Sequence, residues 1–213
     1  MLIKFLKILG VILIPLVILL LVFSNVVYND SIYLKYSNEI ENKELYIDQL
    51  ISYFEEEDGL TYFTVKDVVH LKDVTNLINS VLAVFWICLM ISLFILFYLF
   101  YKKKFTQILD MFIFSFLVFL VIFFIIWLIP FENLFLSFHL ISFDNDLWLM
   151  NANESLLIQL FPETFFESIF MLILTRTFFV LLVLFLVSLY LKFYKFKKSN
   201  KMSGGLKWKN MML

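Results

Sequence analysis

The chain has 213 residues, of which 62% are hydrophobic and 20% aromatic, with a mean hydropathy of +0.93 and a formal net charge of -1. A soluble domain is about 45–50% apolar, so a water-soluble globule is excluded. The scarcity of glycine (4) and proline (3) argues against disorder.

In chain order, the first apolar run is Phe5 to Phe23, with Lys4 and Lys7 at its start. A bilayer core needs about 20 mostly apolar residues in one helix. The run is long for a signal peptide, and no small-residue cleavage site follows. It is expected to be an uncleaved first spanning helix. A loop of about residues 24–79 follows, too long to be a bare connection. Within it, Ile47, Leu50, Ile51 and Phe54 repeat at helical spacing. That stripe predicts a helix packing on the head or on the membrane surface. The acidic run Glu55 to Asp58 should end it near Gly59 as a solvated face; cation binding there is the less favoured reading. Tyr62 to Val65 has the aromatic and branched content of a strand. From Lys66 a helical period returns and should run directly into a second span, Val81 to Tyr101.

Lys102–Lys104 then gives a short basic turn, and Met111 to Ile129 a third span. The second loop, about residues 130–167, begins at Pro130. Within it, "FHLISF" and "LWLM" flank "DND", which reads as strand, tight turn, strand. Pro162 should open the last helix with Glu163 in its first turn. The fourth span is Ser168 to Leu191, broken only by Arg176. The expected fold is therefore an all-α membrane protein. It is one integral domain of four transmembrane helices with a small, mainly helical extracytoplasmic head that includes a short β-hairpin.

Orientation is read from the basic residues. Of 17 Lys and Arg, 12 lie at the chain start, in Lys102–Lys104, or from Lys192 onward. Positive segments stay inside, so both termini are expected in the cytoplasm of a multi-pass protein of the cell membrane. The two loops face outward and carry 17 of the 18 acidic residues. The cytoplasmic lysines need topology and anionic membrane lipid, and no nucleic acid, to explain them. The single cysteine, Cys88, lies in a span, so no intramolecular disulfide forms and the compartment stays unread.

The chain has two histidines, His70 and His139, and both fall in the outward loops, near the same lipid–water boundary. Asp73 lies at i+3 from His70 on the same helix face, where a carboxylate can fix an imidazole's tautomer and raise its basicity. That is a base with an orienting partner, as general base catalysis requires. Asp67 is a second acidic candidate. The bland alternatives are structural histidines and a surface ion pair of little worth. Two histidines and an aspartate also suit zinc, but no H-E-x-x-H or cysteine cluster is present, so no metal and no cofactor is expected. No G-x-S-x-G nucleophile elbow or phosphate loop occurs. Arg176 either snorkels to the interface or orients a headgroup or ester carbonyl. Trp148 and its neighbouring phenylalanines fit an interfacial aromatic belt or a substrate wall.

Three stretches, "HLKDV" (70–74), "FHLISFDNDLW" (138–148) and "LFPETFF" (160–166), together resemble, in that order, motifs of a bacterial four-helix membrane family, the lipoprotein intramolecular transacylases. Two departures are visible: Asp67 where the family tends to have Glu, and Ser142 before Phe143 where it tends to have two aromatics. The resemblance implies a substrate, a diacylated lipoprotein, whose sn-2 acyl chain moves to the N-terminal cysteine α-amine to give the lyso-form. That chemistry suits one histidine as general base and the other as proton donor or oxyanion partner; His139 is the favoured base, with Asp73 orienting His70. Trp148, Phe143 and Arg176 are then the expected substrate contacts. The alternative is a non-enzymatic membrane protein whose acidic head binds a partner or cation.

Overall fold

In the computed structural model residues 1–56 and 59–209 are described, with side chains to Lys198 apart from Glu56. Eight helices lie among them: α1 (Leu2–Val27), α2 (Asp30–Tyr36), α3 (Lys43–Glu56), α4 (Val65–Tyr101), α5 (Phe105–Trp127), α6 (Phe131–Ser142), α7 (Leu156–Leu160) and α8 (Glu163–Lys209). Four of these, α1, α4, α5 and α8, are long and apolar enough to cross a membrane. The chain is a multi-pass membrane protein, with each span an extension of the apolar run the sequence displays. The segments divide into two compact units: residues 1–18, 88–122 and 177 onward in one, and residues 19–87 and 123–176 in the other.

The first unit is built from α1, α5 and parts of α4 and α8. Ile95, Leu99, Met111 and Leu181 are essentially sealed in its interior. A Cβ on Gly10 would run into the Met111 side chain, so glycine here lets α1 and α5 approach closely. Asp110 accepts from both Lys7 (2.9 Å) and Lys192 (2.7 Å), which ties α1, α5 and α8 together at their polar ends. Large apolar side chains such as Phe94, Phe97, Val121 and Val183 point outward, as lipid-facing surface requires.

The second unit holds the remaining helices around its own core. The α3 stripe Ile47, Leu50, Ile51 and Phe54 is buried there with Leu71, Leu160, Phe161 and Phe165. Its helical period is thus explained by packing on the head. Buried Lys43 is satisfied by Glu39 (2.7 Å) and the Ser37 carbonyl (3.3 Å). Of the acidic run expected to end α3, Glu55 and Glu56 are the helix's last two residues, and Glu57 and Asp58 lie outside the described residues.

All three expected strand segments, Tyr62 to Val65, "FHLISF" and "LWLM", are corrected, since no strand occurs among the described residues. Instead of a hairpin, "FHLISF" completes α6, with Pro130 as N-cap and Glu132 in the first turn. The apolar residues at Phe131, Phe135 and His139 follow an i, i+4 step that the short unalternating run concealed. The "DND" turn is present: Asn145 Oδ1 accepts from the Leu147 N–H at 3.0 Å. At Tyr62 to Val65, Thr64 instead begins α4. Its hydroxyl accepts from the Asp67 N–H (3.2 Å) and Asp67 Oδ2 accepts from the Thr64 N–H (3.1 Å). This reciprocal cap is a helix start, worth about 1 kcal/mol. The direct run from Val65 through Tyr101, and α8 opened by Pro162 and Glu163, match the sequence expectation.

A candidate active site of two buried imidazoles

His70 is carried by the first turns of α4, below its cap, and His139 by the last turn of α6. Both are buried, at 7% and 8% exposure. One residue, Phe143, joins them: its ring centroid lies 5.1 Å from that of His70 and 5.8 Å from that of His139. The rings are near enough that a proton on His139 is felt at His70. The separate segments named from the sequence therefore converge.

Aromatic rings build the remaining wall. Around His139 lie Phe135 at 4.3 Å, Trp148 at 4.9 Å and Phe138 at 5.3 Å between centroids. Phe135 is one helical turn before His139, and packs in turn on Phe166 of α8. The Trp148 ring lies over the imidazole at an interplanar angle of 33°.

The two histidines have different polar surroundings. His139 Nδ1 lies 2.8 Å from the Phe135 carbonyl. A carbonyl only accepts, so Nδ1 carries the proton and Nε2 of the neutral ring holds the lone pair. Burial pushes the His139 pKa below 6.5, partly offset by this carbonyl. His139 is thus held as a neutral imidazole with one defined basic nitrogen. His70 Nδ1 is buried and has no partner. Leaving such an atom bare costs about 1–3 kcal/mol.

Asp73 makes no hydrogen bond to His70; burial, the larger effect, lowers the His70 pKa, and the Asp73 charge acts the other way and raises it. Asp73 Oδ2 accepts from Asn145 Nδ2 at 3.0 Å, which fastens the 143–148 turn carrying Trp148 to α4. Asp67 is fully buried, and its Oδ1 accepts from Ser155 Oγ at 2.5 Å. Ser155 also caps α7 by accepting from the Ile158 N–H at 3.2 Å. Arg176 touches none of these groups; its Nη1 lies 3.5 Å from Asn25 Oδ1. The described residues hold no group of three His, Cys, Asp or Glu placed to share a metal ion. Sequence reasoning missed Asn145, Ser155, Phe135 and Phe138. The first two lack a local signal, since their partners lie 72 and 88 residues away. Phe135 and Phe138 follow at once when α6 is read as a helix.

These features define an integral membrane protein with an aromatic-lined, two-imidazole site on helical segments. Residues 2–166 match the family model described as lipoprotein intramolecular transacylase Lit, and the chain belongs to this family. Three solved structures of Lit from Bacillus cereus are similar in fold. One has a TM-score of 0.74 at 23% identity, covering 93% of this chain and 98% of that one. A histidine-to-arginine variant gives 0.73 at 22% identity, covering 95% of each chain. A histidine-to-alanine variant gives 0.73 at 21%, covering 91% and 95%. No curated protein sequence matches.

Proposed function

We propose that His139 is the general base for transfer of an sn-2 acyl chain to the α-amine of a lipoprotein's N-terminal cysteine, at the outer leaflet of the cell membrane. The chain is an acyltransferase of the lipoprotein intramolecular transacylase family, and the product is a lyso-form lipoprotein. The single observation that carries the residue assignment is the His139 Nδ1 contact to the Phe135 carbonyl, which leaves Nε2 free to take a proton.

The reaction needs positioning and one mobile proton. The amine nitrogen attacks the ester carbonyl carbon, and a medium-sized ring forms within one molecule. Nε2 of His139 removes the amine proton as the N–C bond forms. The carbonyl oxygen gains charge, and His70 beside it stabilises that oxygen. The C–O bond then breaks, and His139 returns the proton to the glycerol oxygen. Atoms and charge balance without a protein nucleophile, metal or cofactor. Holding donor and acceptor together supplies up to about 7–11 kcal/mol in favourable cases. Trp148 and Phe143 form the wall against which the substrate folds. Asp73 acts through Asn145 as a positioning residue for that wall.

The distribution of lysine supports a topology with both termini in the cytoplasm and the site outside. Membrane lipid surrounds the spans, and acyl chains enter from it. Acyl migration within one molecule leaves its total mass unchanged. The test is therefore fragmentation mass spectrometry of a lipoprotein N-terminus from cells with and without this chain. The acyl group is expected on nitrogen only when the chain is present. A free α-amine in both samples, at good expression, overturns the proposal.

A further inference from the structure

We propose that Arg176 and the α1–α2 junction form a second binding site, for the phosphate of a membrane glycerophospholipid. Residues Leu21, Val22, Ser24, Asn25, Tyr28, Asn29 and Arg176 line a cavity of about 590 Å³, and neither histidine lines it. Arg176 is the one charge within the apolar stretch Ser168 to Leu191. A guanidinium in such a stretch is costly unless paired. Among the described residues no carboxylate lies within ion-pair distance of it. Among the described residues its side-chain hydrogen bond is to Asn25 Oδ1 at 3.5 Å, which sits at the limit for such a bond and carries no charge.

The cavity supplies donors in excess of acceptors. Asn29 Oδ1 is already used by the Ile32 N–H, which leaves its Nδ2 to donate. Asn25 Oδ1 faces the guanidinium, and its Nδ2 is likewise available. The Tyr28 phenol stays protonated, since burial and nearby Glu55 both push its pKa up. Ser24 Oγ spends its proton on the Leu21 carbonyl and offers lone pairs only. Glu55 repels an anion from the tyrosine end and leaves the guanidinium end as the place for it. A planar fork with flanking amides suits phosphate oxygens, which accept two parallel N–H bonds. Leu21 and Val22 give the cavity an apolar side continuous with α1, so the phosphate fits as a lipid headgroup with its chains alongside that helix.

The test measures thermal stabilisation of the purified full chain in detergent against increasing dioleoylphosphatidylglycerol, with dioleoylglycerol and inorganic phosphate as separate arms. Wild type should be stabilised by the phospholipid and much less by either control. Arg176→Gln should weaken the apparent phospholipid affinity by about tenfold or more. Should R176Q not accumulate as folded protein, Arg176→Lys keeps the charge and loses the fork, and a smaller weakening is expected. Equal responses of wild type and variant overturn the proposal. So does a phospholipid that acts no better than dioleoylglycerol, which makes Arg176 a side chain reaching interfacial water. Stabilisation by inorganic phosphate matching that by phospholipid supports a phosphate site but overturns the lipid as its source. The measurement involves no acyl transfer, so its outcome is separate from that of the catalytic proposal.

Discussion

Replacing His139 by Gln removes the base and keeps much of the shape. An amide can still donate to the Phe135 carbonyl, now 2.8 Å from Nδ1, and part of the space between Phe135, Phe138, Phe143 and Trp148 stays filled. Loss of one such hydrogen bond would cost only about 1 kcal/mol. Loss of a positioned general base costs about 10²–10⁴ in rate, or roughly 2.7–5.5 kcal/mol of barrier. Rate per folded molecule should therefore fall far more than abundance does. The assay follows loss of the free α-amine of a synthetic diacyl lipopeptide by amine-reactive labelling, from about pH 5 to 9. The amine, with a pKa of about 7.7–8.0, contributes one acid limb in any enzyme. Wild type should show a second limb below 6.5, because the base must be neutral and burial lowers its pKa. In H139Q that second limb disappears. A variant within tenfold of wild type, or one keeping both limbs, refutes the assignment.

Other expectations follow from the same contacts. Because the folded pKa of His139 is depressed, the unfolded chain binds more protons just below 6.5, so His139's contribution to stability is lost as pH falls through the folded pKa; melting temperatures should fall less on acidification in H139Q than in wild type, the remaining loss coming from His70, whose pKa burial also lowers. Asp73→Ala breaks an exposed bond to Asn145, worth about 0.5–1.5 kcal/mol, and removes a charge that raises the His70 pKa; the rate should fall roughly two- to tenfold with the His139 limb unmoved, whereas a displaced His139 limb would show that Asp73 acts on the base itself rather than through Asn145. Ser155→Ala removes the α7 cap and a bond to buried Asp67; it should cost about 2–3 kcal/mol by denaturant titration. Trp148→Phe should retain most activity and Trp148→Ala little, at comparable abundance, if the ring over His139 is a wall for folding the substrate.

Much of the architecture was legible because bilayer thickness imposes it. A run such as Met111 to Ile129 has one solution in lipid, and α5 contains nearly all of it. The α3 stripe was legible because one buried face leaves a period of 3.6. The hairpin was misread because "FHLISF" is short and mostly apolar, and such a six-residue run suits strand and helix alike. Pro130 and Glu132 held the deciding information. The histidines were readable as a pair because only two exist and both leave the spans. Asp73 was not, because i+3 spacing allows a contact with His70 without requiring it. Asn145, distant in sequence, takes that carboxylate. Ser155, the distant partner of Asp67, likewise depends on where the segment before α7 folds back, which no local pattern records.

The most direct test of the central claim is a crossover experiment with the purified chain. Two diacyl lipopeptides are mixed, one with a light peptide and light sn-2 chain, the other heavy in both. The account predicts that each N-acylated product keeps its own label pairing and its parent mass, and that H139Q forms little of either at matched folded concentration. Light peptide carrying a heavy N-acyl chain, or full turnover without His139, would contradict it.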